Sequence, residues 1–92
     1  MISLKNRWAL VTGSSRGIGQ QIVLGLAGHR CNLILHARQL ENLEKTREML
    51  NTSPVTIHAV AGDVGTAEGR AAIVRGIEEG PGRVDILYNN AG

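Results

Sequence analysis

Ninety-two residues allow one domain, and a chain of that size buries only roughly 60–65% of the surface its unfolded form exposes, so marginal stability is expected. Hydrophobic residues at 42% and charged residues at 20% describe a globular domain, while ten basic and eight acidic residues mixed along the chain, with Trp8 and Tyr88 the only aromatics, argue against a nucleic-acid partner. No apolar stretch approaches the ~20 residues that cross a bilayer, and residues 1–7 lack the apolar core and cleavage site of a signal peptide, which makes cytoplasmic the expected location.

The first element is the apolar run Trp8-Ala9-Leu10-Val11, read as a strand over 8–11. It leads into Thr12-Gly13-Ser14-Ser15-Arg16-Gly17-Ile18-Gly19 and a helix over 18–27, with Ile18, Ile22 and Leu26 at four-residue spacing on one face. Strand, glycine-rich turn and helix in that order make a site for a pyrophosphate. Gly13 suits the tight turn out of the strand, where positive φ is open to it, and Gly17 lets backbone approach a phosphate with no Cβ in the way. Gly19 lets the helix pack closely on the sheet. The helix start adds unpaired N–H groups and a partial positive charge. These features imply a dinucleotide ligand.

His29 is expected to face solvent near the end of that helix, and the lone Cys31 reads as a small buried hydrophobe. Asn32-Leu33-Ile34-Leu35-His36-Ala37-Arg38 is a second strand, centred on 33–35. A helix over 40–51 follows, with Leu40, Leu43 and Leu50 on one stripe, and Thr52-Ser53-Pro54 ends it because proline cannot continue a helix. The third strand is read over 55–61 and is followed by Asp63-Val64. The helix over 66–79 turns Ala72, Ile73 and Ile77 inward, with Gly69 and Gly76 expected to weaken it by ~1 kcal/mol each. After Gly80-Pro81-Gly82 comes the fourth strand, Val84-Asp85-Ile86-Leu87-Tyr88, with Tyr88 expected in the core, and then Asn89-Asn90-Ala91-Gly92. His36 and His58 lie on strands with no partner acid at ligand spacing, so no metal site is expected and no histidine is assigned chemistry.

Strands alternating with helices predict an α/β fold with a parallel sheet and right-handed crossovers. If the first three strands step outward in one direction, their two helices cover one face. The third helix then crosses the other face and sets strand four beside strand one. The expected order is 3-2-1-4, a Rossmann-like doubly wound sheet with its switch point between strands one and four. The glycine turn and Asn89-Asn90-Ala91-Gly92 both belong to that crevice.

The glycine spacing, Gly-x-x-x-Gly-x-Gly preceded by Thr12, resembles the short-chain dehydrogenase/reductase superfamily. So do the second strand ending at Arg38, the pair Asp63-Val64 after strand three, and Asn89-Asn90-Ala91-Gly92 after strand four; the likeness covers residues 5–92. The resemblance implies hydride transfer between a nicotinamide dinucleotide and a carbonyl or secondary alcohol. It implies that the glycine turn, residues 12–19, holds the pyrophosphate, and that Asp63 accepts from the adenine amino group with Val64 adding a backbone contact. It also implies that Asn90, Ala91 and Gly92 line the ribose side while Asn89 braces the sheet. By position alone Asp63 could instead cap the helix that begins near Thr66, and both roles are open.

The end of the second strand is where such a sheet meets the adenosine ribose, and an acid there would accept from the 2′-OH of NAD and repel a 2′-phosphate. Arg38 stands at that position, with no acid before Glu41, and Arg16 in the turn is a second cation able to reach the same phosphate. Charge-assisted contacts of ~1.5–3 kcal/mol each make NADP the expected cofactor, favoured over NAD by roughly 10²–10⁴-fold after allowing for solvent. The competing reading of Arg38 is a solvated cation flanking a helix.

The family's Tyr-x-x-x-Lys pair and upstream serine have no counterpart here. Tyr88 is followed four residues on by Gly92, both lysines precede residue 46, and Ser14 and Ser15 belong to the phosphate turn. Strand four is also apolar and would be left as an edge. Residues 1–92 are therefore expected to be the NADP-binding Rossmann domain, incomplete after the fourth strand, of an NADP-dependent oxidoreductase, and inactive alone. Two other readings stand beside it: a non-catalytic dinucleotide-binding or regulatory module, and an interaction fragment whose strand-four edge another chain completes. A carbonyl or alcohol substrate follows only with a catalytic half, and an oligomer remains open.

Overall fold

The structure is a computed structural model that describes residues 3–90. Four parallel strands, β1 (Trp8–Val11), β2 (Asn32–Ala37), β3 (Ile57–Ala61) and β4 (Ile86–Tyr88), form one sheet in the order β3-β2-β1-β4. That is the predicted order. The register runs Val11 beside Leu35 and Tyr88, and Leu35 beside Ala59, so the carboxyl ends of the strands come together at one rim.

Three helices, α1 (Gly17–Gly28), α2 (Glu44–Met49) and α3 (Ala67–Glu79), make the crossovers. They split the core into two layers, as parallel strands covered on both faces require. On one side Val23 and Ala27 of α1 meet Val11, Leu33, Leu35, Leu43 and Leu50. On the other, Ile73 of α3 meets Leu10, Ile34 and Val60, with Trp8, Val64 and Ile77 at the margin. Alternate residues of β1 and β2 thus serve opposite layers, which is the period-two rule of a strand.

Three expectations need correction. The inward face of α1 is Gly19, Val23 and Ala27, one residue round from the predicted stripe; Ile22 and Leu26 sit at its edge and Ile18 is 69% exposed. Small residues face the sheet because α1 lies against the turn that precedes it. The helix read over 40–51 is a 3-10 helix (Leu40–Leu43) followed by the short α2, and Leu40 is exposed while the hydroxyl-bearing Thr46 is fully buried. Tyr88 is not core among the described residues: it is 47% exposed, and Leu87 beside it is 61% exposed.

The glycines of α3 are contact points, not merely weak links. A Cβ on Gly69 would collide with the backbone carbonyl of Asp63, and one on Gly76 would come within 2.7 Å of Val60 Cγ1. Helix propensity is given up so that α3 can lie directly on β3 and its exit. Thr66 caps this helix, its hydroxyl accepting from the Gly69 N–H at 2.9 Å. Asp63 takes a different job, turning back to accept the Gly65 N–H at 2.8 Å.

Cys31 is buried beneath the start of β2, and burial, followed by the negative charge of Asp85, pushes its thiol up from the ordinary value. It acts there as a small hydrophobe. Among the described residues no helix is long and apolar enough to cross a membrane.

Candidate functional site

The rim where β1, β2 and β4 end opens into a cavity of about 850 Å³, within the range that takes a cofactor-sized ligand. Gly13, Ser15, Arg16 and Gly17 of the glycine turn form one wall. His36, Ala37 and Arg38 at the end of β2, Asn42 of the 3-10 helix and Asn90 beyond β4 form the rest.

The turn is built to a fixed shape. Gly13 and Gly17 have φ of +65° and +61°, the left-handed region that side-chain-bearing residues seldom enter. A Cβ on Gly19 would strike the Gly13 carbonyl and come within 2.8 Å of the Asn90 side-chain nitrogen. Hence α1 starts directly behind the turn. Arg16 is its N-cap in extended conformation, the Arg16 side chain makes no capping hydrogen bond, and no acid lies in its first turn. That leaves a helix start with orphan N–H groups and partial positive charge at the wall of the cavity.

Around the turn, buried polar groups are paired. Thr12 reaches across to the strand-four side: its hydroxyl donates to Asn89 Oδ1 at 3.2 Å and accepts the Asn90 N–H at 2.9 Å. The Asn90 side chain donates to the Gly13 carbonyl at 3.1 Å. Ser14, fully buried, donates its N–H to the His36 carbonyl at 2.9 Å and accepts the His36 N–H on its hydroxyl at 2.9 Å. From α2, Thr46 donates its hydroxyl to the Ser14 carbonyl at 2.9 Å and accepts from Gln20 of α1 at 3.0 Å. The Gln20 amide also donates to the Ser15 carbonyl at 3.2 Å. Groups from β2, α1, α2 and the segment after β4 thus hold the turn.

Of the residues singled out in the sequence, Gly13, Ser15, Arg16, Gly17, Arg38 and Asn90 come together on the cavity wall. Thr12, Ser14 and Gly19 stand behind it as support. Ile18 is exposed at the helix start but does not line the cavity, and Asp63 and Val64 lie beyond the end of β3, off its wall. Ala91 and Gly92 fall outside the described residues. Sequence reasoning passed over His36, Thr46, Gln20 and Asn42. For His36 there was a signal, a polar side chain inside an otherwise apolar strand two residues before Arg38.

A doubly wound parallel sheet with a glycine turn at its switch point and cationic side chains lining the adjoining cavity defines a dinucleotide-binding α/β protein. The family model described as short chain dehydrogenase matches residues 7–92, and the chain belongs to that family. It is 38% identical over 89 residues to the NADPH-dependent reductase BacG of Bacillus subtilis, covering 95% of this chain and 34% of that protein. The L-sorbose reductase of Gluconobacter frateurii, solved with NADPH and L-sorbose, superposes with a TM-score of 0.90 at 38% identity, over 98% of this chain and 35% of that one. The Pseudomonas aeruginosa RhlG/NADP complex gives 0.88 at 38% identity, over 98% and 36%. The chain thus spans about a third of the length of the relatives it matches.

Proposed function

We propose that residues 1–92 form the cofactor-binding part of an NADP-dependent oxidoreductase that moves hydride between NADP(H) and a carbonyl or secondary alcohol. The observation that carries this reading is that Arg38 lines the same cavity as Arg16 and the glycine turn. The residues present fit the cofactor: a helix start with no cap from the Arg16 side chain for the pyrophosphate, two cations for a 2′-phosphate, and no acid on the wall among the described residues to repel it. Relatives described as NADPH-dependent or solved with NADP support the same choice.

When bound, NADP supplies the hydride donor or acceptor. This chain's share is to bind and orient it. Gly13, Ser15 and Gly17 bring backbone close to the phosphates, Arg16 and Arg38 select the 2′-phosphate, and Asn90 borders the ribose side. Asp63 and Val64 are assigned to the adenine end on family likeness. The protein is assigned to the cytoplasm, with a small carbonyl or alcohol as substrate.

Arg38→Asp tests the selection. Fluorescence titration of the protein at its natural length is expected to show the NADPH-to-NADH affinity ratio falling by roughly tenfold or more. An unchanged ratio removes Arg38 from the 2′-phosphate. Tight NADPH binding with no NADPH oxidation across a panel of aldehydes, ketones and sugars would instead favour a non-catalytic module.

A further inference from the structure

His36 borders the cavity yet carries neither the charge nor the flexibility that cofactor selection uses. It is 2% exposed, and backbone engages both of its ring nitrogens. The Gly13 N–H donates to Nδ1 at 2.9 Å, and Nε2 lies 2.7 Å from the Gly62 carbonyl oxygen. An amide N–H only donates and a carbonyl only accepts, so Nδ1 must hold a lone pair and Nε2 the proton. The ring is a neutral bridge of fixed polarity, running from the turn after β1 to the exit of β3. Gly13, at φ +65°, has more conformational freedom than any other residue type would have there. The ring takes that freedom away.

We propose that His36 is a positioning residue: by accepting the Gly13 N–H on Nδ1, it holds the glycine turn in the shape that presents the α1 N-terminus to the phosphates. The inference rests on the cofactor reading above. A merely structural role, tying β2 to β3, would run through the other nitrogen and Gly62. The two roles can therefore be separated by substitution. In His36→Asn the side-chain oxygen takes the place of Nδ1 and no group reaches Gly62. In His36→Gln the amide nitrogen takes the place of Nε2 and the acceptor for Gly13 is lost.

The test is NADPH titration of both variants at natural length, beside amide exchange of Gly13 read by 15N-glycine NMR without cofactor. His36→Asn is expected to keep Gly13 protected and NADPH affinity close to that of the unaltered protein. His36→Gln is expected to expose Gly13 to exchange and weaken NADPH by roughly three- to tenfold, the span of one lost hydrogen bond. The reverse ranking, or equal affinity in both variants with Gly13 protection lost only in His36→Gln, overturns the proposal. Should either variant fail to fold, imidazole 15N shifts of the unaltered protein decide: the Nε2–H tautomer upholds the bridge, and an Nδ1–H or doubly protonated ring overturns it. Failure of the unaltered protein to bind NADPH refutes the cofactor reading, and Gly13 exchange and the tautomer still judge the bridge.

Discussion

Thr46 donates its hydroxyl to the Ser14 carbonyl at 2.9 Å, a bond that joins α2 to the glycine turn across 32 residues of chain. Both side chains are fully buried. The contact explains why a threonine occupies the inward position of a short helix where an apolar residue would otherwise be expected. The hydroxyl also accepts from Gln20 at 3.0 Å, so one oxygen joins α1, α2 and the turn.

Thr46→Val keeps the shape and removes both bonds. The Ser14 carbonyl loses this donor in a buried site, which costs ~1–3 kcal/mol. An unfolding free energy lowered by that amount in urea titration is expected, together with weaker NADPH binding as the turn loosens. Thr46→Ser, which keeps the hydroxyl, should recover most of the loss. Equal midpoints for the valine and serine variants would mean the hydroxyl is not what holds the turn.

How far the sequence reveals this site depends on the range of the interactions. The strand order follows from local patterns, because alternating apolar runs and helices leave few ways to close a parallel sheet. The tasks of Gly13 and Gly19 are legible for the same reason, since a turn leaving a strand and a helix starting behind it are neighbours in the chain. The pairing of His36 with Gly13 and Gly62 is not legible. Its partners are backbone atoms 23 and 26 residues away, which leave no mark on residue type. Thr46 is hidden for the same reason. The one-residue rotation of α1 has another origin: apolar periodicity ranks Ile18 above Gly19, whereas close approach to the Gly13 carbonyl selects the residue with no side chain. Tyr88 reads as core because it lies on a strand, but β4 has only β1 beside it among the described residues.

Two glycines of α1 should respond to alanine with opposite sign. Gly25 is exposed and a Cβ there meets nothing within 4 Å, so Gly25→Ala gains helix propensity and should stabilise by about 0.5–1 kcal/mol. At Gly19 the same propensity gain meets a Cβ driven into the Gly13 carbonyl. Backbone cannot swing aside as a side-chain end would, and overpacking of this kind costs ~1–3 kcal/mol or more. Gly19→Ala is therefore expected to lower the unfolding midpoint and weaken NADPH binding together. A stabilised Gly19→Ala would show that α1 does not sit directly on the turn.

At the opposite end of the sheet, Asp85 ties β4 to β1 and should make stability depend on acid. Its carboxylate accepts the Trp8 N–H at 2.8 Å, its own N–H donates to the Trp8 carbonyl at 2.8 Å, and Arg83 stands 3.2 Å away. The Trp8 hydrogen bond first, and then the charges of Arg83 and Arg7, hold its carboxyl below the ordinary value of 3.8. A carboxyl whose folded value is lowered stabilises the fold at pH above its unfolded value, and that contribution is lost as the pH falls through the folded one. Asp85→Asn should therefore be less stable than the unaltered protein at neutral pH. The gap between their urea midpoints should close as the pH is taken below 3.8. A gap that stays constant from neutral pH to strong acid would mean that the charge of Asp85 contributes nothing to holding β4 against β1.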